Sequence, residues 1–474
     1  MNNILEAILI IFYIYLILST ISVILLENRN PVKSIAWLTV LIFVPFLGLI
    51  LYLLIGQDYR KRKMISQKSI QRISQRPCAA IDIKELANSG IEIKFLKLIK
   101  MLKNNSEADA YTHNKIDVYA EGENIFDSMF VAIRNARDHV HMEFFIFEDD
   151  IISNKLRELL IEKSKEGVCI RMIYDSFGSL KLSRNYLRTL REAGVDVKPF
   201  LPFRLRLGRS KVNYRNHRKL IIIDGKIGFT GGVNIGDRYI YGDKLGKWRD
   251  TVVKIEGSGV HGIQKLFLID WYFVKKELIS DERYFPEPPK FDENIMQIVA
   301  SGPDTDWRSI MQEICSAIIA AKKYVYIHTP YFMPNELVKG CIQMAALSGT
   351  EIWLMIPEKS DIRFTDLSAS SFLGGVLEAG VRVFKYQAGM LHSKAIVIDD
   401  FLSIVGSANI DERSFDMHFE ANAFIYEEET ALRLKQLFMD DLHYCKEVIL
   451  EEWNNRPRRQ KMKESFARLF SPLM

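Results

Sequence analysis

The residues most able to do chemistry in this chain of 474 residues occur as two copies of one pattern. Each copy has His and Lys two residues apart and Asp five residues after the Lys: His217, Lys219 and Asp224 in the first copy, and His392, Lys394 and Asp399 in the second. Each His is followed seventeen residues later by Asn, at Asn234 and Asn409. A short motif can match once by chance, but two copies with the same downstream Asn indicate an internal duplication.

These residue types suit the transfer of a phosphodiester. A neutral imidazole is a nucleophile near pH 7, a second imidazole as imidazolium can protonate a leaving alkoxide, and lysines can neutralise the phosphate oxygens. The two copies supply two residues of each type. Lys is not a usual metal ligand, and no His or carboxylate repeats at metal-binding spacing beside these positions, so we expect neither a metal site nor a cofactor.

Each His and Lys is predicted to begin a buried strand. The apolar, mostly β-branched residues 221–223 and 395–398 follow directly, and such runs form strands that are covered on both faces. Alternate residues of a strand share a face, so each His lies on the same side as its Lys. Asp224 and Asp399 are at odd offsets, so we expect them to face away and to support the turn.

The turn after each predicted strand sets what lies opposite the His. The dipeptide Asp224-Gly225 is a strong hairpin signal, and a two-residue turn there would place Gly232 across from His217. The same turn in the second copy would place Ser407 across from His392. The downstream Asn of each copy is then expected to return close to its His.

The two copies resemble the HKD motifs of the phospholipase D superfamily. In that family an acidic residue well beyond each His orients the imidazole, and Asp250 and Glu420 stand 33 and 28 positions beyond the two His residues. The resemblance implies that Asp250 orients His217 and that Glu420 orients His392. The second copy meets the family's Gly-Ser-x-Asn pattern, whereas Gly232 replaces the Ser in the first copy and removes that hydroxyl.

Two apolar segments near the N-terminus are long enough to cross a membrane. Residues 7–26 and 34–57 carry no charge, and a helix needs about twenty residues to cross a hydrocarbon core of about 30 Å. Residues 27–33 form a short connector, which predicts an antiparallel transmembrane hairpin with a kink at Pro45. The alternatives for the first segment are a signal peptide, for which a basic start and a clear cleavage site are missing, and a buried soluble helix.

The distribution of charge predicts the orientation of this hairpin. Lys and Arg are concentrated directly after the second apolar segment, at Arg60, Lys61, Arg62, Lys63, Lys68, Arg72 and Arg76, with only two in the connector. This bias predicts that the large domain is cytosolic. Five cysteines, an odd number without a Cys-x-x-Cys pair, are typical of a reducing compartment.

The residues after the hairpin are too many for one core and enough for two domains. Helix-like and strand-like stretches recur in the same order before each motif copy, which predicts an α/β fold with two pseudo-symmetric lobes, each a mixed β-sheet flanked by helices. We therefore predict the transmembrane hairpin at residues 1–58, a basic juxtamembrane linker at 59–110, a first lobe at 111–290, a second lobe at 291–450 and a basic amphipathic tail at 451–474.

Three further segments mix basic and apolar residues. The amphipathic stretch 91–102 is expected either at the membrane or packed on the first lobe, and the tail is expected as an interfacial helix or as a frayed terminus. Residues 201–219 favour anionic lipid headgroups, with an ordinary solvated basic face as the alternative. Nucleic acid is not an expected partner, because its binding does not require a membrane hairpin.

Over essentially the whole chain the sequence resembles bacterial cardiolipin synthases. The resemblance rests on the two apolar segments and on residues 214–219, 230–236 and 329–334. It implies transfer of a phosphatidyl group from one phosphatidylglycerol to another, giving cardiolipin and glycerol, in a multi-pass protein of the bacterial plasma membrane. It also implies phosphatidylglycerol and anionic lipid as partners, and no CDP-activated lipid or divalent metal. The oligomeric state is not indicated.

The resemblance further implies a mechanism. His217 would attack phosphorus while His392 protonates the departing glycerol, although pseudo-symmetry permits the reverse. Four side chains would bind the phosphate oxygens: Lys219, Lys394, Asn234 and Asn409. The alternatives are a phospholipase D that uses water, a phosphatidyltransferase for another alcohol, a membrane-tethered nuclease and a scaffold without activity, although a scaffold would be expected to have lost a His or Lys.

Overall fold

The computed structural model of the chain describes residues 2–26, 31–56, 79–86, 92–202, 213–291 and 294–471. The chain divides into two compact units, one of residues 1–59 with 203–214, and the other of residues 60–202 with 215–474. The first unit contains the apolar N-terminal helices. The second contains both His-x-Lys segments and every other candidate site residue.

In the first unit, α1 (Asn2–Leu26) is the one helix among the described residues that is long and apolar enough to cross a membrane. Its apolar run, Ile4–Leu26, has a mean hydropathy of 2.7. Most of its large side chains are exposed, which is unlike the core helix of a soluble domain. The first predicted membrane segment is therefore a single helix.

The second predicted segment is not one continuous helix. The structure has α2 (Pro31–Phe43) and α3 (Pro45–Leu51), followed by a π-helical turn at Tyr52–Gly56. Val44 between them has φ −132° and ψ 62°, outside the helical region. Pro45 has no N–H to bond the carbonyl one turn earlier, so the kink expected there is a break.

The helices of this unit pack against each other. The rings of Tyr13 in α1 and Phe46 in α3 stack with centroids 4.2 Å apart, and Ile24 packs with Leu41 and Leu49. The two apolar segments are therefore neighbours. Residues 27–30 of the connector, and the basic residues after Gly56 on which the orientation depends, lie outside the described residues.

The second unit contains two large mixed sheets. The first sheet has the order β3-β11-β9-β8-β4-β5-β6. Its strands are β3 (Asn114–Tyr119), β4 (His139–Phe144), β5 (Cys169–Asp175), β6 (Asp196–Phe200), β8 (Leu220–Ile223), β9 (Ile227–Gly231) and β11 (Val252–Gly257). All four residues of β8 are buried, because helices cover both faces of the sheet there.

The second sheet has the order β1-β2-β12-β21-β19-β18-β13-β15-β16-β22. Its strands are β1 (Ala80–Ile81), β2 (Ala110–Thr112), β12 (Ile295–Ser301), β13 (Tyr324–His328), β15 (Glu351–Pro357), β16 (Arg382–Tyr386), β18 (Ala395–Ile398), β19 (Leu402–Gly406), β21 (His418–Tyr426) and β22 (Cys445–Glu447). We call each sheet with the helices packed on it the first and the second lobe.

The order and direction of seven strands are the same in both sheets. In the first, β4, β5 and β6 are parallel, and β8 runs antiparallel to β4 and begins the antiparallel series β8, β9, β11 and β3. In the second, β13, β15 and β16 are parallel, and the antiparallel series is β18, β19, β21 and β12. The predicted duplication thus has a counterpart in the strand topology.

Five short strands lie outside the main order of the two sheets: β7 (Arg215–Asn216), β10 (Lys247–Arg249), β14 (Phe332–Met333), β17 (Gly389–Leu391) and β20 (Ile410–Asp411). The α-helices of this unit are α4 (Ile83–Leu86), α5 (Ile93–Ser106), α6 (Gly122–Arg134), α7 (Ile151–Lys165), α8 (Arg184–Glu192), α9 (Arg238–Tyr241), α10 (Val260–Lys275), α11 (Ser309–Ala320), α12 (Glu336–Leu347), α13 (Arg363–Glu378), α14 (Glu412–Asp416), α15 (Glu428–Leu442), α16 (Leu450–Asn454) and α17 (Arg458–Arg468). A 3-10 turn spans Glu282–Tyr284.

The amphipathic stretch 91–102 does not pack on the first lobe, which was one of the two expectations, and contact of its exposed side with a membrane stays a prediction. Helix α5 buries Phe95, Leu98, Ile99 and Leu102 in the core of the second lobe, against α11 and β12. These residues are spaced three or four apart, so one stripe of the helix faces that core. The stretch is therefore part of the second lobe, and neither a free linker nor a layer on the first lobe.

The end of the chain is also helical and packed. Helix α17 lies on α13, buries Ala467 and places the Arg468 guanidinium over the Phe372 ring at 4.6 Å. The frayed terminus considered for this segment is therefore wrong. Phe466 and Met462 are exposed on its outer side, and contact of that side with a membrane stays a prediction.

The two motif hairpins are each one residue longer at the turn than predicted. Ile223 pairs with Ile227, and Ile398 pairs with Leu402, so three residues connect the strands in both copies. This register does not place Gly232 across from His217 or Ser407 across from His392, because each partner is shifted by one. The first two residues of each turn have positive φ, and the motif Asp is one of them.

Candidate active site

The first His-x-Lys segment passes from one lobe to the other. Strand β7, directly before His217, pairs in parallel with the start of β21 in the second lobe, whereas β8, directly after Lys219, belongs to the first sheet. The backbone N–H of His217 continues the pairing by donating to the Phe419 carbonyl at 2.9 Å. His217 is therefore held by the backbone of both lobes.

The second segment makes the reciprocal passage. Strand β17, directly before His392, pairs in parallel with β10 of the first lobe, and β18 begins directly after Lys394. The backbone N–H of His392 donates to the Arg249 carbonyl at 2.7 Å. Strand β10 of the first lobe thus borders the segment that leads to His392, and strand β21 of the second lobe borders the segment that leads to His217.

This exchange determines which carboxylate meets which imidazole. His217 Nδ1 lies 3.0 and 3.1 Å from the two carboxylate oxygens of Glu420, and His392 Nδ1 lies 2.6 Å from Asp250 Oδ2. The pairing expected from the sequence, Asp250 with His217 and Glu420 with His392, is wrong. Asp250 follows β10, which pairs with the strand before His392. Glu420 lies in β21, which pairs with the strand before His217. Each carboxylate therefore contacts the imidazole of the other lobe.

These contacts decide how each imidazole can act. A carboxylate accepts but does not donate, so the contacts with Glu420 and Asp250 assign the hydrogen of each ring to Nδ1 and the lone pair to Nε2; at His392 the contact with Asp250, at 2.6 Å, is shorter than that of Nδ1 with Lys394 Nζ, at 2.9 Å. An imidazole in this form is a nucleophile or a general base at Nε2. The neighbouring carboxylate can stabilise the imidazolium once Nε2 has taken a proton.

The two motif copies differ at one position, which is Gly232 in the first copy and Ser407 in the second. This difference matches the lengths of the two neighbouring acidic side chains, Asp250 and Glu420. Ser407 Oγ donates to Glu420 Oε2, so the hydroxyl helps to fix the longer side chain. Gly232 takes the corresponding place in the first copy, and a Cβ atom there would lie 2.1 Å from Asp250 Oδ1. Among the described residues, the first copy therefore has no hydroxyl that corresponds to that of Ser407, because Asp250 occupies the space that a Ser side chain at position 232 would need.

Both motif lysines are buried in the same site. Lys219 Nζ donates to the His217 carbonyl at 2.5 Å, and Lys394 Nζ donates to the His392 carbonyl. Burial, together with the charge of the other lysine, lowers the pKa of Lys219 well below its usual range. Burial lowers the pKa of Lys394 to about 8. A bound phosphate would favour the charged form of both.

Burial also lowers the pKa of each motif histidine to about 4. The charges of both lysines add to this effect at each ring, that of the lysine in the same motif more strongly, so each lysine acts on both imidazoles. The carboxylate partners oppose the shift without cancelling it. Both rings are neutral near pH 7 before an anionic substrate arrives, which is the form that a nucleophile needs.

The motif aspartates are turned away from this centre, as the strand parity predicts. The Asp224 carboxylate accepts hydrogen bonds from the backbone N–H groups of residues 137, 138 and 139, at 2.8 to 2.9 Å. The Asp399 carboxylate accepts from residues 322, 323 and 324 in the same way and also pairs with Lys94 at 2.8 Å. Each Asp therefore ties its hairpin turn to the start of the neighbouring strand.

The two downstream asparagines are buried, and their contacts differ. Asn234 Oδ1 accepts from the Ile146 backbone N–H at 3.1 Å, and its Nδ2 donates to Tyr239 Oη at 3.0 Å. Asn409 Oδ1 is buried without a hydrogen-bond partner among the described residues. Binding of phosphate by either side chain stays a prediction.

His418 is a site residue to which the sequence analysis gave no role. Its ring lies 5.4 Å from the His217 ring and its Nδ1 lies 3.6 Å from Glu420 Oε1. Trp248 holds the corresponding place in the first lobe, with its ring 5.1 Å from that of His392. One feature of the sequence could have identified His418: it stands two residues before Glu420, as Trp248 stands two residues before Asp250.

Three of these groups are close enough for a metal ion to bridge them. The ligand atoms of His217, His418 and Glu420 all lie within 4.8 Å of one another. In this arrangement Nδ1 of His217 already donates to Glu420, so a metal would have to replace that hydrogen bond. The reaction without a metal stays a prediction.

The amino-acid sequence matches two known families. The family described as "Cardiolipin synthase, PLD-like domain" matches residues 129–268 and 314–442, and that described as "Phospholipase_D-nuclease N-terminal" matches residues 10–57. The "Major cardiolipin synthase ClsA" of Bacillus subtilis (strain 168) is 39% identical over 473 residues, which cover 98% of both chains. The "Cardiolipin synthase" of Staphylococcus aureus (strain Mu50 / ATCC 700699) is 37% identical and covers 100% of this chain and 98% of its own.

A solved structure has a similar fold. The phosphatidylserine synthase of Haemophilus influenzae Rd KW20 aligns with a TM-score of 0.60 and 14% identity, over 80% of this chain and 100% of that chain. At this identity the likeness concerns the fold alone. It agrees with the mixed α/β architecture of the second unit.

Proposed function

The chain belongs to the cardiolipin synthase family with phospholipase D-like domains, and we propose that it transfers a phosphatidyl group from one phosphatidylglycerol to a second. The products are cardiolipin and glycerol. As a member of this family the protein is a phosphatidyltransferase. The proposal concerns the residues that carry out the transfer and the way in which the reaction is divided between the two lobes.

The proposal rests on one observation: each of the two imidazoles donates its Nδ1–H to a carboxylate of the other lobe, and both lysines are buried beside them. One imidazole with a lone pair on Nε2 as nucleophile and a second that takes up a proton on Nε2 when the anion binds, in the field of two lysines, suit in-line displacement at one phosphorus. The repeated strand order supports a pseudo-two-fold arrangement of the lobes about that phosphorus. Such an arrangement gives the leaving and the entering alcohol equivalent surroundings.

In the first step His217 Nε2 attacks phosphorus, and the bond to the glycerol oxygen breaks. Binding of the phosphodiester anion raises the pKa of His392, so that its Nε2 takes up a proton from solvent, and His392 then gives this proton to the glycerol oxygen as the bond to phosphorus breaks. Glycerol leaves and the phosphatidyl group remains on His217. Glu420 stabilises the positive charge that this ring acquires.

In the second step the same groups act in reverse. His392 takes the proton from a glycerol hydroxyl of the second phosphatidylglycerol, whose oxygen attacks phosphorus and displaces His217. Lys219 and Lys394 neutralise the oxygens of both five-coordinate transition states, and we assign Asn234 and Asn409 to the same role. The assignment of nucleophile follows the habit of the superfamily, and the reverse assignment uses the same atoms.

The membrane arrangement is also part of the proposal. The packed helices α1, α2 and α3 support a hairpin that anchors the chain in the bacterial plasma membrane, with the catalytic unit on the cytosolic side. A lipid substrate must reach a buried site from the bilayer. An anchor keeps that site at the surface on which phosphatidylglycerol is found.

The closest competing activity uses the same centre with water or another alcohol as acceptor. Purified protein in phosphatidylglycerol vesicles distinguishes them by product. Cardiolipin and glycerol in equal amounts are expected, whereas phosphatidic acid as the main product would identify a hydrolase. His217→Ala and His392→Ala should each abolish transfer, and strong activity in either variant would contradict the shared site.

A further inference from the structure

Two arginines hold equivalent positions in the two lobes but differ in their surroundings. Arg238 stands four residues after Asn234, and Arg413 stands four residues after Asn409. Each lies in the short helix that follows the motif hairpin, α9 in the first lobe and α14 in the second. Any difference between their surroundings is therefore a difference between the two halves of the site.

The backbone register identifies the residue that faces each arginine. Phe147 pairs in parallel with Ile235 in the first lobe, and Phe332 pairs in parallel with Ile410 in the second. The residues directly after the two phenylalanines are thus equivalent. They are Glu148 in the first lobe and Met333 in the second.

In the first lobe the guanidinium is neutralised and covered. Arg238 Nη2 lies 2.5 Å from Glu148 Oε1, and the guanidinium lies over the Trp248 ring at 5.0 Å. Glu148 Oε1 also pairs with Lys181 at 2.9 Å, so Arg238 and Lys181 share one carboxylate oxygen.

In the second lobe the surroundings of the equivalent guanidinium are different. Met333, which replaces the glutamate, is apolar and buried. Among the residues that the structure describes, Arg413 forms no ion pair, and its Nε is buried without a hydrogen-bond partner. Asp411 acts on its charge from beyond ion-pair distance and accepts the Ser414 N–H at 2.7 Å.

The aromatic neighbour is replaced as well. His418 takes the place of Trp248; its Nδ1 faces Glu420 Oε1 at 3.6 Å, and its Nε2 is buried without a hydrogen-bond partner among the described residues. The charges of Arg413 and His217 both act on this ring, after burial, to lower the pKa of His418 to about 4. His418 therefore lies in the fields of Arg413 and of the motif imidazole.

We infer that Arg413 and His418 form a second anion-binding subsite that holds the phosphate of the acceptor phosphatidylglycerol. Buried donors without partners are costly, and a guanidinium with an imidazole N–H matches the oxygens of a phosphodiester. The inference rests on the proposed function, in which the acceptor is itself a phosphodiester while water and free glycerol are not. Three carbon atoms and an ester oxygen separate the acceptor's hydroxyl oxygen from its phosphorus, so different parts of the site can hold the two groups.

The test compares two acceptors in one preparation of the full chain. Vesicles of phosphatidylglycerol in phosphatidylcholine are supplied with labelled glycerol, and both cardiolipin and labelled phosphatidylglycerol are measured. Exchange of glycerol needs only the reacting phosphorus, whereas cardiolipin needs a second lipid phosphate. Arg413→Gln should lower the ratio of cardiolipin to exchanged glycerol by about tenfold or more, the loss expected for a charge-assisted contact.

Three further variants make the result specific. Arg238→Gln removes the equivalent arginine from the first lobe, and Glu148 keeps Lys181 as a partner, so the ratio should stay that of the unmodified protein. Met333→Glu supplies the carboxylate that the second lobe lacks and should lower the ratio by occupying Arg413, whereas Met333→Gln should not.

The outcomes separate the subsite from the activity. An unchanged ratio in folded Arg413→Gln, or an equal fall of both products, overturns the subsite and leaves the cardiolipin synthase in place. Glycerol exchange without cardiolipin in the unmodified protein overturns the proposed function itself.

Discussion

Asp250 Oδ2 lies 2.6 Å from His392 Nδ1, although Asp250 follows a strand of the first lobe and His392 precedes a strand of the second. The backbone pairing of β10 with β17 brings them together, because it places Arg249 opposite Leu391 and so aligns the residues that follow. The chemistry of each imidazole thus depends on the correct docking of both lobes.

Replacement of Asp250 tests this dependence. Asp250→Asn keeps the size of the side chain but can present an amide N–H to Nδ1, which favours the tautomer with the hydrogen on Nε2. We expect kcat for cardiolipin formation to fall by about a hundredfold or more, with the fold retained. Asp117→Asn, a change at a half-buried carboxylate of β3, is the control, and a normal rate in Asp250→Asn would refute the orienting role.

The buried lysine Lys394 should set the upper limit of the pH range. Its pKa of about 8 means that the free enzyme loses this ammonium, and with it the attraction for the phosphate, as pH rises through 8. We expect kcat/KM for phosphatidylglycerol to decline above about pH 8. Lys394→Arg keeps its charge to much higher pH, so its remaining activity should lack this decline. A profile that is the same in both proteins would assign the decline to another group.

Acid should destabilise the catalytic unit. The pKa values of His217, His392 and His418 are about 4 in the folded state, whereas a histidine in the unfolded chain takes up its proton near pH 6.5. Between these values the unfolded chain binds more protons, so stability is full above pH 6.5 and declines as pH falls toward 4. Thermal unfolding in detergent should show a lower midpoint at pH 5 than at pH 7.

A variant at His418 checks the origin of that decline. His418→Gln removes one of the three titrating rings and should reduce the difference between the two midpoints. His443→Gln, a change at an exposed ring, should leave the difference as it is. If both variants respond alike, other groups cause the acid sensitivity.

The aspartate of each motif should matter for stability more than for chemistry. Asp224→Ala removes three hydrogen bonds from backbone N–H groups to one carboxylate, and we expect the free energy of unfolding to fall by about 2 to 4 kcal/mol. Denaturant titration measures this loss. At temperatures where the variant is folded, its kcat should stay within about tenfold of the unmodified value, and a loss as large as that of His217→Ala would place Asp224 in the chemistry.

Much of the local structure could be predicted from the sequence. The helix-like stretches before the first motif copy include α7 and α8, and the apolar runs after each Lys are β8 and β18. These elements are fixed by local periodicity and by β-branched residues, which a single sequence shows directly. The outward direction of Asp224 and Asp399 followed from strand parity for the same reason.

Features that depend on contacts between distant segments could not be predicted in this way. The exchange of Asp250 and Glu420 arises from strand pairing between the lobes, and linear spacing from each His suggested the opposite. The turn register was one residue off, because three residues connect the strands where the Asp-Gly signal indicated two. Helix α5 was assigned to a linker because its apolar stripe does not reveal which core it enters.

The exchange of strands also bears on the order in which the chain is made. The first half, which a ribosome completes earlier, has His217 without Glu420 and therefore an imidazole that no carboxylate orients. Only when the second half is synthesised and docked do both dyads exist. Until then a nascent chain beside the bilayer lacks the assembled centre that could cleave the lipids around it.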